Sequence, residues 1–347
     1  MNSNPKKKGI SKIPSQLRLD IVSKDWVVIA TGRARRPETF KKEKSKIFQE
    51  KREVCPFCHI QDQETPTLIF SKGKKIENTQ EIPKDWTLVV IPNRFPAVLP
   101  GETLRERAEG PYQLMDGVGF HEVVVTRDHI RDISQFSIKE IKEVIDAYQE
   151  RYLELMNEKF VNYISIFHNH GPEAGASIAH PHSQIMAIPV TDPDIQNSLI
   201  GSRRYWDYHQ KCIHCEMIKW DKEDGRRIVF ENDEFLALCP FASRMAFEVR
   251  IYPKAHLSYF ERVNEQQKMA LAEAFQVVLQ KLRKALGDFS YNFFLRTSPC
   301  DGRDYSHYHW HFEILPRTSI PAGFEFGVGI EISTIEPEKA AEYLRKQ

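Results

Sequence analysis

Residues 175–189 read GASIAHPHSQIMAIP and set His180, His182 and Gln184 at alternate positions. In an extended strand, alternate residues share one face. Neighbours on that face stand roughly 7 Å apart. A single metal with bonds of about 2 Å therefore cannot hold both imidazoles. One histidine can be fixed by a metal while the next stays free to react.

The chain around this stretch reads as an internal repeat. The first unit carries CPFC (Cys55, Cys58), then HEVVVTRDH ending at His129, then an amphipathic helix from the N-cap Ser137. Ile138, Ile141, Val144, Ile145, Tyr148 and Tyr152 form its apolar stripe. The strand NYISIFHN, a Gly- and Ala-rich turn and HPHSQIMAIP follow. The second unit repeats this order with CIHC (Cys212, Cys215), FEVRIYPKAH ending at His256, a helix over about 264–286, YNFFLRTS and HYHWHFEILPR. Met269, Phe275, Val278, Leu279 and Leu282 are the apolar positions expected on that helix. Each helix starts eight residues after its histidine, and His129–His180 and His256–His309 span 51 and 53 residues. A shared architecture explains this agreement. The predicted domains are 1–195 and 196–347, joined by TDPDIQNSLIGSRRYWDYHQK. VLPGETLRERAEGPYQLMDGVG (98–119) is expected to be a surface loop. The predicted fold class is α+β: tandem units of antiparallel sheet with helices packed on one face, stabilised by zinc.

The two C-x-x-C pairs, each followed by two histidines in matching order, form two Cys2His2 sets. Zinc takes four such ligands in a tetrahedron. The first set is Cys55, Cys58, His129 and His180. The second is Cys212, Cys215, His256 and His309, with His307 competing for the last place. Four protein ligands leave no open position, so both metals read as structural. His59, His209 and His214 are expected to be solvated, and His121 to be a strand residue with a local partner.

Composition bounds the rest. The 347 residues, 41% apolar and 28% charged, suit a globular chain of one large or two medium domains. A net charge of +1 argues against a broad nucleic-acid footprint. The start, MNSNPKKKGISK, has no apolar run behind it and makes a poor signal peptide. No stretch approaches the length of a membrane span. With no secretory signal, four of the six cysteines read as thiolate ligands or redox motifs rather than a disulfide framework, and a cytoplasmic location is expected.

H-P-H-S-Q resembles the histidine-triad superfamily in its transferase branch, the galactose-1-phosphate uridylyltransferases. The likeness covers nearly the whole chain: DWVVIATGRARRP, CPFC, NRFPA, HEVVVTRDH, HNHGPEAGASIAHPHSQ and the tail GFEFGVGIEIS follow in family order. The chain also resembles plant-type ADP-glucose phosphorylases, which share AGAS before H-x-H-S-Q and carry a second C-x-x-C. The resemblance implies ping-pong nucleotidyl transfer. His182 matches the nucleophile, which takes UMP from UDP-glucose and passes it to galactose 1-phosphate. Neutral imidazole is nucleophilic near pH 7 and leaves well when protonated. Its other ring nitrogen should be fixed by a backbone carbonyl. Gln184 can donate to a phosphoryl oxygen yet cannot titrate, which disfavours water as acceptor. Arg33, Arg36, Asn169, Gly175 and Ser177 match phosphate or nucleotide contacts. Asn93 and Phe95 match base or ribose contacts, with Arg94 departing from an acidic residue of some members. Glu331 matches a sugar-contacting glutamate, lent to the partner in a homodimer. His311 and Glu313 take the places of His182 and Gln184 in a second unit that lacks the small-residue turn and reads as degenerate. In some members an iron site uses histidines of this region, which leaves a metal role open to His311. Two other readings stand beside this one: an adenylyltransferase using ADP-glucose and phosphate, and a non-catalytic zinc-stabilised nucleotide-binding protein.

Overall fold

The computed structural model describes residues 15–31, 37–40 and 50–347. The chain first forms β1 (Gln16–Leu19) and β2 (Trp26–Ile29). The first half continues with β3 (Leu68–Ser71), β4 (Lys74–Lys75), β5 (Leu88–Pro92), β6 (Glu106–Glu109), β7 (Tyr112–Met115), β8 (Phe120–Thr126), α1 (Ile138–Leu155), β9 (Tyr163–His170) and β10 (His182–Ile188). Helices α2 (Pro193–His209) and α3 (Ile213–Asp224) lead into the second half. That half holds β11 (Ile228–Glu231), β12 (Phe235–Leu238), β13 (Val249–Pro253), α4 (Glu265–Leu286), β14 (Tyr291–Arg296) and β15 (His311–Pro316). Then come α5 (Gly323–Val328), β16 (Glu331–Ser333) and α6 (Pro337–Arg345).

Eleven strands make one antiparallel sheet in the order β11-β12-β13-β15-β14-β9-β10-β8-β5-β3-β4. The halves meet where β9 pairs with β14 and Asn169 lies opposite Asn292. Outward from this seam the first half runs β9, β10, β8, β5, β3 and the second β14, β15, β13, β12, β11. The strands that begin at His182 and His311, β10 and β15, are thus each second from the seam.

Helices α1 and α4 start as the sequence indicates. Ser137 accepts from the Glu140 N–H while the Glu140 carboxylate accepts from the Ser137 N–H; Asn264 and Gln267 repeat this box on α4. Both helices cover one face of the sheet. Ile164, Ile166, Ile185, Ala187, Phe293 and Ile314 join Tyr148, Tyr152, Phe275 and Leu282 in a single core. Met269 is not part of it and is 40% exposed. It lies six residues before Phe275, about 240° round the helix, and so points away from the sheet. The stretch 98–119 is not a plain loop: its middle is the β6–β7 hairpin, with all eight strand residues exposed.

Alternation gives the other face a different character. Over β3, β5 and β8 it is covered by the CPFC segment, through Cys55, Phe57 and Ile60 against Val89, Ile91, Val123 and Val125. Over the second half, α3 sets Ile218 on Leu236, Leu238 and Tyr252, and α2 sets Ile195 and Leu199 on Tyr163 and Tyr308. Between these covers runs a strip carrying His182, Gln184, Asn169 and Asn292.

Candidate active site and metal centres

Folding brings each Cys2His2 set together, with ligand atoms within 4.8 Å of one another. In the first, His180 Nδ1 lies 3.6 Å from Cys55 Sγ and 3.7 Å from Cys58 Sγ. His129 Nδ1 lies 3.2 Å from Cys58 Sγ and 3.3 Å from His180 Nδ1. A tetrahedral zinc would require about 3.5 Å between sulfur and nitrogen and about 3.3 Å between nitrogens. The donor set therefore fits. Both rings donate their far Nε2–H to backbone carbonyls, His129 to Glu50 at 2.7 Å and His180 to Thr126 at 2.6 Å. Such bonds fix the tautomer that leaves Nδ1 free for metal. The second set copies this: Cys215 Sγ lies 3.4 Å from His256 Nδ1 and 3.5 Å from His309 Nδ1. Their Nε2 atoms face the carbonyls of Ser306 and Pro253 at 2.7 and 2.9 Å. His309, not His307, takes the fourth place.

His182 stands apart from these ligands at the start of β10. Its Nδ1 lies 2.8 Å from the His180 carbonyl oxygen. A carbonyl can only accept, so the proton is on Nδ1 and Nε2 keeps a bare lone pair. Burial holds the imidazole below its usual pKa, with the bond to His180 opposing, so the ring is neutral near pH 7. Phe57 packs on it with centroids 5.0 Å apart. The next residue, Ser183, points to the helix face, where its hydroxyl meets Tyr148 Oη at 2.6 Å and His168 Nδ1 at 3.0 Å. This anchors the strand immediately beside the free imidazole.

Gln184 Oε1 lies 2.8 Å from His121 Nε2, so the partner of His121 is not local in sequence but 63 residues along the chain. The His121 Nδ1 accepts from the Ala97 N–H at 3.2 Å. Asn93 Oδ1 accepts from the Phe95 N–H at 2.9 Å, shaping a turn that leaves the Phe95 ring 84% exposed. The Arg94 guanidinium sits 6.0 Å from that ring.

The small-residue turn needs its glycines. Gly171 and Gly175 have φ of +80° and +82°, and a Cβ on Gly171 would come 2.3 Å from Ser290 Oγ. Ser177 is exposed on the turn. Asn169 lies inward, its Oδ1 accepting from Asn292 Nδ2 at 2.7 Å, and the same nitrogen donates to the Ala174 carbonyl at 2.9 Å. Arg317 Nε donates to the Asn292 Oδ1. Sequence reading missed Asn292, although a lone amide within YNFFL is the available signal. A cavity of about 420 Å³ opens beside the turn, lined by Asn169, Gly171, Ala176, Pro181, Arg52 and Arg283. Arg33 and Arg36 lie outside the described residues.

The second half closes the equivalent place. His311 is 4% exposed, its Nε2 lies 3.6 Å from Glu313, and the Tyr252 ring packs on it, tilted by 30°, with centroids 4.6 Å apart. Arg244, Arg250 and Arg296 approach Glu313 at 2.6, 3.1 and 3.4 Å. Burial alone would raise the Glu313 carboxyl; these guanidiniums hold it well below its usual value. Asp20, in the turn after β1, seals the place through Arg250 at 3.2 Å. His214 is not solvated as expected. The first turn of α3 swings it inward, 5.3 Å from the His311 ring and 5.6 Å from Tyr308. His59 and His209 are exposed, in keeping with the sequence reading. Glu331 pairs with Val27 in a parallel β16–β2 contact and senses Arg244, on the side of the second half rather than beside His182. Among the described residues, no helix is long and apolar enough to cross a membrane.

Comparison with known proteins identifies the family. A family model described as galactose-1-phosphate uridyl transferase, N-terminal domain, matches residues 8–191. A second, described as a domain of unknown function (DUF4921), matches residues 102–347. ADP-glucose phosphorylase of Arabidopsis thaliana is 33% identical over 95% of this chain and 92% of its own length. Galactose-1-phosphate uridylyltransferase of Thermotoga maritima is 30% identical over 95% of this chain and 98% of its own. The crystal structure of the Arabidopsis phosphorylase with bound ADP-glucose superposes with a TM-score of 0.78 at 29% identity, covering 96% of this chain and 99% of that one. The chain is an enzyme of the galactose-1-phosphate uridylyltransferase family.

Proposed function

We propose that the enzyme moves UMP from UDP-glucose to galactose 1-phosphate through a covalent nucleotide on His182. The observation that carries this reading is the imidazole whose Nδ1–H is committed to the His180 carbonyl, leaving Nε2 as a bare nucleophile. In the first step Nε2 attacks the α-phosphorus and the bond to glucose 1-phosphate breaks. In the second, a phosphate oxygen of galactose 1-phosphate attacks the same phosphorus and the P–N bond breaks. The acceptor is already an anion, so no strong base is needed. The His180 carbonyl stabilises the charge that the nucleotidylated ring carries.

Gln184 donates to a phosphoryl oxygen as negative charge builds there. Asn169, Gly175 and Ser177 present the small-residue turn to the phosphates, with Arg33 and Arg36 as guanidinium partners. Asn93 and Phe95 receive the base and ribose. Zinc at the two Cys2His2 sets is structural: it ties the CPFC segment to β8 and β10 and the CIHC segment to β13 and β15. The two halves, 1–195 and 196–347, read as copies of one histidine-triad-like unit, supported by the matching strand order outward from the seam. The second is degenerate, since its histidine is walled in. A cytoplasmic homodimer completes the reading, with Glu331 serving the partner's site; its place on β16, in a sheet separate from the one that carries His182, and the exposed Phe326, at 80%, support this.

A second reading uses ADP-glucose as donor and phosphate as acceptor, and the 33% identity with the Arabidopsis phosphorylase favours it. Both donors should be tried with both acceptors and the nucleotide products separated by chromatography. UDP-galactose from UDP-glucose and galactose 1-phosphate supports the first reading. ADP from ADP-glucose and phosphate, without UDP-galactose, replaces it with the second.

A further inference from the structure

His121 is an interior strand residue that the reaction outlined above does not use. It projects from β8 on the same face as Gln184, whose direct cross-strand partner is Val123. The ring thus sits diagonally across from the amide, within side-chain reach. Its two nitrogens have different neighbours. Nδ1 receives the Ala97 backbone N–H at 3.2 Å. An amide N–H can only donate, so Nδ1 is the bare nitrogen and the ring proton is on Nε2. Nε2 faces Gln184 Oε1 at 2.8 Å and donates to it. The Asn93 amide nitrogen lies 3.1 Å from that Nε2. Its orientation is set by the Phe95 N–H on its oxygen, and a protonated Nε2 has no lone pair to accept, so this contact is not a hydrogen bond and Gln184 is the partner of the Nε2–H.

A side-chain amide held at its oxygen has one orientation left. The Gln184 NH2 must point away from His121. Without that bond the amide could turn over and present its oxygen to an anionic phosphoryl group, which repels it. The same imidazole is gripped by the turn that carries Asn93 and Phe95. We propose that His121 is a positioning residue that fixes the Gln184 amide as a donor and sets it by the turn Asn93–Ala97, so that seating of the nucleotide base and readiness of the phosphoryl donor are linked. This rests on the reading of His182 as the nucleotide carrier.

The test uses the zinc-loaded full chain and single-turnover labelling from UDP-glucose and from ADP-glucose. His121→Phe keeps a ring and loses both nitrogens. His121→Gln keeps a donor near the place of Nε2. His121→Phe should slow labelling roughly tenfold to a hundredfold, the scale of losing part of a preorganised donor. His121→Gln should recover most of the rate. With Gln184→Ala as background, adding His121→Phe should change the rate by less than about twofold, because the amide it orients is gone. Zinc content should match wild type in every variant, which separates this effect from a damaged fold. Full additivity of the two substitutions, or a labelling rate unchanged in His121→Phe, overturns the proposal while the wild type still labels. Absence of label on the wild-type protein from either donor overturns the underlying reading, and this proposal with it.

Discussion

Asn292→Ala is the substitution whose effect follows most directly from the geometry. The side chain is 6% exposed, at the seam between the two halves of the sheet. It gives one bond to Asn169 Oδ1 and one to the Ala174 carbonyl, and takes one from Arg317. Ala174 is itself buried, so its carbonyl has no easy route to water once the amide is removed. A net hydrogen bond contributes about 1 kcal/mol, and a buried acceptor left unpaired costs about 1–3 kcal/mol. Asn169 and Arg317 are half-buried and can turn to water, so together they count as about one net bond; with the Ala174 acceptor the loss is roughly 2–4 kcal/mol. Urea denaturation with zinc present reads it as a lower midpoint at unchanged slope. The turn from Gly171 to Ser177 loses its tie to the second half, so labelling from a nucleotide sugar should also slow, by roughly tenfold if about 1.4 kcal/mol of that organisation is felt in the transition state. A stability change under about 0.5 kcal/mol with an unchanged labelling rate would show that the clasp contributes nothing.

Other consequences are open to simple measurement. Cys55→Ser should lower metal content by about one zinc per chain and lower stability, because a structural metal contributes folding free energy; metal analysis showing no change removes the assignment. Gln184→His should keep some transfer but speed hydrolysis of the intermediate, since a titratable ring can move protons for water; equal release of free nucleotide from labelled wild type and variant removes the role given to the amide. Burial raises the Glu338 carboxyl, but Arg18, at 2.9 Å, outweighs it, helped by Arg227, and the net pKa is lowered. A depressed carboxyl stabilises above its unfolded value of about 4.3 and loses that contribution as pH falls through its folded value. Glu338→Gln should therefore be less stable at neutral pH and show a shallower loss below about pH 4; parallel acid-denaturation curves contradict this.

Much of the local structure was legible because it depends on short-range rules. Ser137 and Asn264 announce helices through capping boxes that close within three residues. The alternation at His180, His182 and Gln184 fixes which side chains share a face, and the matched spacing of cysteines and histidines fixes both ligand sets. What stayed hidden depends on partners far along the chain. Gln184 and His121 are 63 residues apart, and Asn292 and Asn169 are 123 apart. His214 was misplaced because its burial is decided by where α3 docks on β13 and β15, not by its neighbours in sequence. Met269 was misplaced because it stands about 240° round the helix from Phe275, on the side turned away from the sheet. The closure of the second half needs Asp20, Arg244, Arg250 and Glu313, drawn from four separate segments, and no local pattern marks them as a group.

Whether His182 carries the nucleotide is open to direct measurement. The zinc-loaded protein should be incubated with radiolabelled nucleotide sugar, without acceptor, digested under mildly alkaline conditions that spare the P–N bond, and the labelled peptide identified by mass spectrometry. About one nucleotide per chain should appear on the peptide containing His182, none in His182→Ala, with labelling retained in His311→Ala. Label on His311, or undiminished label in His182→Ala, would contradict His182 as the carrier.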